Sequence, residues 1–329
     1  MQAAWYEIQG KAKDVIKYGE ISVPELNDGE VLVRIYASGV NPSDTKVRAG
    51  WGGIKQKFER IIPHQDGAGI IESVGNGVSN SRIGEQVWIY EAQQGRPYGT
   101  AAQYTVVPSN QAVPLPDNTS FLEAACLGVP AMTAHRAVFA DGSVKGQTIL
   151  VTGGAGAVGN YGIQWGKWGG AEVITTVSSD KKAEIAISAG ADHIINYRNE
   201  DVVKRIQEIT GRKKGINRII DVDFSRNLSI ADAVLRTNGA IAMYSANPDD
   251  APVLPVLSLM MRNITIRTIL VYTMPSEAKQ QAIRDITTAL VAGALHHNIA
   301  QRFSLAEVAA AHEAQDSGQM IGKAVVEIS

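Results

Sequence analysis

One stretch constrains this chain more than any other: Val151-Thr152-Gly153-Gly154-Ala155-Gly156-Ala157-Val158-Gly159. It follows the apolar run Thr148-Ile149-Leu150-Val151. It leads into a segment where Val158, Tyr161, Gly162 and Trp165 share one helical face, so the local pattern is strand, tight turn, helix. Gly154, Gly156 and Gly159 spell G-x-G-x-x-G. In that pattern the first glycine allows the turn, the second lets backbone approach a pyrophosphate, and the third lets helix and strand pack closely. Unpaired amides and the positive end of the helix dipole then face an anion. A glycine-rich turn can also do no more than reverse a chain. The strand before it and the amphipathic segment after it supply the context that a dinucleotide site demands.

Around this loop the pattern divides in two. Downstream, strands expected at 148–152, 172–177, 193–197, 218–222, 240–245 and 264–271 alternate with helices, which specifies a doubly wound parallel sheet. The nearly continuous apolar run Ile219-Ile220-Asp221-Val222 suits strands buried on both faces. Upstream, to about Pro116, short strands at 3–8, 30–36, 68–74, 86–90 and 102–107 are separated by clusters such as Asn27-Asp28-Gly29 and Gly75-Asn76-Gly77. That spacing fits an antiparallel barrel. A helical stretch over 122–140 joins the two patterns. Beyond Tyr272, helices at 277–293 and 305–317 and a strand at 323–328 return to the first domain. With 329 residues, two domains are expected: 1–122 with 272–329, and 123–271.

Composition narrows the function classes. A net charge of −2 gives no global positive field to draw nucleic acid or anionic lipid. The opening Met1-Gln2-Ala3-Ala4-Trp5-Tyr6-Glu7 lacks a basic region followed by an apolar core, and no apolar run is long enough to span a bilayer, so a cytoplasmic location is expected. Cys126 is the single cysteine, which rules out an internal disulfide and every zinc site needing two thiolates from one chain. Its neighbours Ala124, Ala125 and Leu127 mark it as a small buried residue.

An NAD site usually has an acidic residue at the end of the second strand, where it holds the ribose hydroxyls. Here that end reads Thr175-Thr176-Val177-Ser178-Ser179-Asp180-Lys181-Lys182, with hydroxyls at that position and two lysines beyond. Tyr197-Arg198 ends the neighbouring strand. Small donors and positive charge suit the 2′-phosphate of NADPH. The alternative is that Lys181, Lys182 and Arg198 form only a solvated helix start and loop, while Asp180 aims at a ribose.

Several motifs agree in order along the chain: the glycine loop, Ala124-Ala125-Cys126-Leu127-Gly128-Val129-Pro130-Ala131-Met132-Thr133-Ala134-His135-Arg136-Ala137, Gly39-Val40-Asn41-Pro42-Ser43-Asp44, and Gly322-Lys323. Together they resemble the zinc-free, zeta-crystallin-like quinone oxidoreductases of the medium-chain dehydrogenase/reductase superfamily. The resemblance implies an α/β fold, a Rossmann doubly wound parallel sheet plus a GroES-like β-barrel domain, with NADPH and substrate in a cleft. It places Asn41 near the nicotinamide ribose or substrate and Thr133 near the nicotinamide. Gly156, Ala157 and Val158 then face the pyrophosphate, with Gly154 and Gly159 shaping the loop. Ser178, Lys182 and Tyr197 surround the adenosine phosphate. Ser245, Leu270, Val271 and Tyr272 border the nicotinamide from the far side, and Lys323 contributes near the cleft. Zinc-dependent relatives carry a cysteine where this chain has Asn41 and Gly-His-Glu where it has His64-Gln65-Asp66, so no metal is expected. Many members have tyrosine at the position of Lys46, and a tyrosine's role there does not transfer.

The implied reaction is hydride transfer from NADPH to a quinone, which needs positioning and exclusion of water more than a dedicated acid. Asp44, Lys46 and Tyr98 are candidates to polarise a carbonyl oxygen, although the first two can equally form a surface ion pair and Tyr98 can merely cap a turn. The rival within enzymes is NADPH-dependent reduction of α,β-unsaturated ketones or aldehydes. Outside enzymes, the resemblance admits an RNA-binding or structural crystallin-like protein. The alternation in Thr265-Ile266-Arg267-Thr268-Ile269, at an outer strand, predicts a homodimer or homotetramer built across that edge.

Overall fold

The computed structural model describes residues 1–211, 215–247 and 249–329. Packing separates them into two units, Met1–Val129 with Asp285–Gly293 and His297–Ser329, and Pro130–Arg284 with Ala294–His296. The change of sequence pattern falls instead at 122/123 and 271/272.

The first unit begins with β1 (Gln2–Trp5), α1 (Ala12–Val15) and β2 (Lys17–Glu20), the two strands forming a small sheet. It continues through β3 (Glu30–Val40), α2 (Pro42–Ala49), β4 (Asp66–Val74), β5 (Gln86–Ile89), β6 (Tyr104–Pro108), β7 (Ala112–Pro114) and α3 (Phe121–Ala124). The second unit takes up the chain within α4 (Gly128–Phe139) and holds β8 (Thr148–Val151), α5 (Ala157–Trp168), β9 (Glu172–Val177), α6 (Asp180–Ser188), β10 (His193–Asn196), α7 (Val202–Thr210), β11 (Ile216–Asp221), α8 (Phe224–Val234), β12 (Leu235–Met243), α9 (Val256–Met261) and β13 (Thr265–Thr268). After α10 (Ser276–Val291), the chain ends with β14 (Ile299–Ser304), α11 (Val308–Asp316) and β15 (Lys323–Glu327) in the first unit.

The second unit's sheet is parallel throughout, in the order β10-β9-β8-β11-β12-β13, with the order reversing at β8. That is the doubly wound arrangement expected, and it puts the glycine turn at the switch point where such sheets bind ligands. Leu150, Ile174, Ile195, Ile219 and Ile241 pack with Ile206 and Leu228 of the flanking helices. The first unit is built on β3, which pairs with β15, β4 and β6 in an order of β14-β15-β3-β4-β5-β7. Val31, Val33 and Ile35 of β3 alternate inward and meet Leu305, Val308 and Ala311.

Three expectations need correction. The first strand ends at Trp5, because Tyr6 leaves the pair to bridge Ile61 and Ile8 is exposed. The helix expected over 122–140 breaks into α3 and α4. Its Gly128 lies so close to Asp66 that a Cβ would sit 2.1 Å from Oδ1, and Gly39 similarly crowds the carbonyl of Ala125, so the chain turns there. The strands β2, β7 and β14 and the helices α1 and α2 had no expected counterpart. β14 runs parallel to β15 with exposed polar residues, a pattern that a half-buried edge strand shares with a loop.

Candidate active site

In the second unit the chain leaves β8 through Gly153, whose φ of +67° is the left-handed step of the turn. The sequence pattern assigns that role to Gly154. Gly154 instead passes under β9, where a Cβ would fall 2.1 Å from Oγ1 of Thr175. Gly159 packs on the turn, its missing Cβ 2.3 Å from the carbonyl of Gly153, whereas at Gly156 the nearest atom is 3.3 Å away. Gly156 is exposed and caps α5 without a side-chain hydrogen bond. The first amides of α5, from Ala157, Val158 and Gly159, lie in the turn where a helix has no partners of its own to offer them. Helix starts with open amides of this kind are able to hold an anion.

Beside it, at the end of β9, Nζ of Lys182 donates to Oγ of Ser178 at 3.0 Å. Ser179 caps α6 by accepting from the Lys182 amide, and Asp180 is exposed in the first turn. The Tyr197 amide donates to the carbonyl of Val177 at 3.1 Å, bringing that half-exposed ring to the same strand end. Ser178, Lys182 and Tyr197 are thus assembled in one place. Elsewhere in this unit Thr133 is buried on α4, Ser245 follows β12, Leu270 is exposed, and Tyr272 accepts from Lys279 through its carbonyl.

The first unit contains a second polar cluster. β3 delivers Asn41 to the start of α2, where Pro42 occupies the first turn and the Asp44 carboxylate accepts from the Asn41 amide at 2.7 Å. Nδ2 of Asn41 donates to Oδ2 of Asp66 at 2.8 Å, and Nζ of Lys323 donates both to that oxygen, at 2.9 Å, and to Oδ1 of Asn41. Oδ1 of Asp66 accepts from the Val129 amide at 2.8 Å, the contact made by the break between α3 and α4. The side chains of Asp66 and Lys323 are 0% and 4% exposed. A buried ion pair holds only when its remaining polar atoms are also satisfied, and here Asn41 and Val129 do so. Asp66 was not among the expected site residues. Its signal was a carboxylate opening the buried run Asp66-Gly67-Ala68-Gly69-Ile70-Ile71.

Asp44 is the second buried carboxylate. Burial, reinforced by the negative charge of Asp66, pushes its pKa up to about 8, against the pull of the Asn41 amide and Lys323. Its Oδ1 has no partner among the described residues. Asp44 therefore carries a proton at neutral pH.

Behind Asp66 runs a directional chain of hydrogen bonds. Thr100 Oγ1 donates to the Asp66 carbonyl at 2.6 Å, so it accepts from Ser38 Oγ at 2.7 Å. Ser38 in turn accepts from Nδ1 of His64 at 2.8 Å. Burial, then the neighbouring His312 and Lys323, hold His64 well below the usual histidine range. Its Nε2 therefore lacks a proton and accepts from Nε2 of His312 at 2.9 Å. His312 is also neutral, pushed down to about 3 by burial. The backbone of His64 takes a φ of +80°, and that left-handed step turns the strand start so that Gln65 and Asp66 follow in place. Gln65 is engaged at both ends of its amide by Gln93.

Among the described residues no three His, Cys, Asp or Glu side chains come together as a metal-holding group. Burial pushes the Cys126 thiol up to about 12, in keeping with an inert residue.

Family models extend this description. The alcohol dehydrogenase GroES-like domain matches residues 27–117, and the zinc-binding dehydrogenase model matches residues 157–288. A zinc-type alcohol dehydrogenase-like protein of Schizosaccharomyces pombe is 31% identical, over 96% of both chains. The quinone oxidoreductase of Rattus norvegicus is 28% identical, over 93% of this chain and 92% of its own. A mycobacterial structure solved in complex with NADPH superposes with a TM-score of 0.86 at 25% identity, covering 99% of this chain and 100% of that one.

Proposed function

The chain is an oxidoreductase of the medium-chain dehydrogenase/reductase superfamily, and on that premise we propose that it reduces quinones with NADPH and without a metal ion. The observation that carries this reading is the state of Asn41. Zinc-dependent relatives carry a cysteine at this position. Here both ends of the amide are committed to Asp66 and Lys323, and Gln65, at the second ligand position, is committed to Gln93. This donor set does not fit zinc, which takes thiolate, imidazole or carboxylate. The 28% identity to a quinone oxidoreductase and the mycobacterial relative's NADPH complex support the substrate and cofactor.

The residues fit a dinucleotide. When bound, NADPH supplies the hydride from its nicotinamide ring. The turn amides of Ala157, Val158 and Gly159 hold the diphosphate, with Gly156 leaving room for it and Gly154 seating the turn against β9. Ser178, Lys182 and Tyr197 hold the adenosine phosphate. Thr133, Ser245, Leu270 and Tyr272 shape the nicotinamide end. Asn41 and Lys323 orient the acceptor's side, and Asp44 holds a proton close by. A screen of NADPH consumption tests this against para-quinones, ortho-quinones and alkenals, with alcohol oxidation by NADP⁺ as the reverse arm. Quinones should turn over fastest, before and after chelation. Faster alkenal turnover would replace quinone by enone reduction. Alcohol oxidation that needs added zinc would overturn the metal-free reading.

We also propose a homodimer built on β13. Among the described residues that strand pairs only with β12, and the adjacent segment exposes Val253, Val256, Leu257, Met260 and Met261 at 64% or more. An open edge beside an apolar patch favours pairing with a second copy.

A further inference from the structure

Lys46 is a half-buried cation without an anionic neighbour among the described residues. Burial holds its ammonium below the ordinary lysine range, and no carboxylate opposes that shift. Among the described residues it has no hydrogen-bond acceptor and no ion pair, whereas Arg48, two residues further along the same helix, is tied to Asp316 and to the Gly10 carbonyl. What holds Lys46 is an aromatic face: Nζ lies 4.1 Å from the ring centroid of Trp51.

The backbone beneath the pair is braced. α2 ends at Gly50 with a φ of +69°, and the tight turn Trp51–Gly53 continues through Gly52 and Gly53, both also left-handed. The Gln9 amide nitrogen donates to the carbonyls of Val47 and Ile54, each at 2.8 Å, and so ties together both flanks of this turn. Trp51 nevertheless remains 36% exposed, and Ile54 beside it 42%. An ammonium is thus fixed in place, partly stripped of water, next to open aromatic surface. A π face compensates such a charge only in part. An arriving anion makes a charge-assisted hydrogen bond and meets a side chain that is already ordered.

We propose that Lys46 and Trp51 form a recognition site for an aromatic acceptor that carries a negative charge, a sulfonate or carboxylate, with Lys46 taking the anion and Trp51 the ring. Calling the ligand an acceptor rests on the reading as a quinone reductase; the binding site itself does not.

Two arms keep these apart. Calorimetric titration of the full chain with two redox-inactive ligands, naphthalene-1-sulfonate and 1-naphthalenemethanol, reads the site alone. The sulfonate should bind roughly ten- to hundredfold tighter. Lys46→Met should close that gap, Lys46→Arg should keep most of it, and Trp51→Leu should weaken both ligands. Equal binding by the wild type, or a gap that Lys46→Met leaves intact, overturns the proposal. The second arm compares kcat/KM for 1,2-naphthoquinone-4-sulfonate with that for 1,2-naphthoquinone. The ratio should drop at least tenfold in Lys46→Met and recover in Lys46→Arg; an unchanged ratio contradicts a role in acceptor choice. If the binding gap appears while neither quinone is reduced, the recognition site stands and the quinone-reductase reading falls.

Discussion

Asp66 is the residue on which the first unit's polar cluster depends, since one carboxylate serves Lys323, Asn41 and the backbone of Val129. Gly128 is glycine because a larger residue would collide with it. Removing its charge leaves an ammonium that is 4% exposed without a counter-charge. Asp66→Asn is therefore expected to cost roughly 3–5 kcal/mol of stability, the range for a broken buried pair. A urea unfolding curve reads this directly, and a loss below about 1 kcal/mol would show that the pair is not the cluster's anchor. Replacing both partners together, Asp66→Leu with Lys323→Met, should cost less than either charge left alone.

At the scale of elements, β13 is the test case, because beyond its fourfold ladder to β12 its other edge has no partner strand among the described residues. Sedimentation should find a dimer at micromolar concentration. Leu257→Asp with Met260→Asp, on the exposed side of α9, should shift it to monomer without altering the far-ultraviolet dichroism. A wild-type monomer at all concentrations refutes pairing through this strand. The elements most legible in the sequence were those with strong local pattern: β8 is almost wholly apolar, β9 and β11 are rich in β-branched residues, and the glycine loop is bounded by strand and helix. The break between α3 and α4 was not legible. It is set by Asp66, far away in sequence, and by the fit of Gly128 and Gly39 against other segments. For the same reason, Ser178 with Lys182 could be read from one strand end, whereas the partnership of Asn41 with Asp66 and Lys323 needed three distant segments to meet. The turn residue was misassigned by one position because the G-x-G-x-x-G spacing begins at Gly154, whereas the left-handed step falls on the glycine before it. Only the packing under Thr175 separates them.

For the molecule as a whole, buried titratable groups fix the response to pH. His64 and His312 are held neutral, so the folded state binds fewer protons than the unfolded state below about pH 6.5, and stability falls as pH drops, by roughly 1.4 kcal/mol per unit for each group. Asp44 acts oppositely: its folded pKa of about 8 lies above the unfolded value, so its contribution is full at low pH and is lost as pH rises to about 8. Between about pH 4 and 6.5 the two histidines outweigh it, and above that only Asp44 acts, which places maximum stability near pH 6.5. Urea midpoints from pH 4.5 to 8.5 should peak there, and Asp44→Asn should remove the decline on the alkaline side. A steady rise through pH 8 would contradict the protonated state of Asp44. No helix among the described residues is long and apolar enough to cross a membrane. The central claim is metal-free hydride transfer from NADPH, and the most direct measurement follows quinone reduction at limiting NADPH and at limiting NADH, using one chelator-treated preparation of the wild type and of Lys182→Ala. The expected result is full activity without zinc, a preference for NADPH of about ten- to hundredfold from the charge-assisted contact at Lys182, and loss of most of that preference in the variant with kcat nearly unchanged. Equal use of both nucleotides by the wild type, or activity that returns only when zinc is added, is the contrary result.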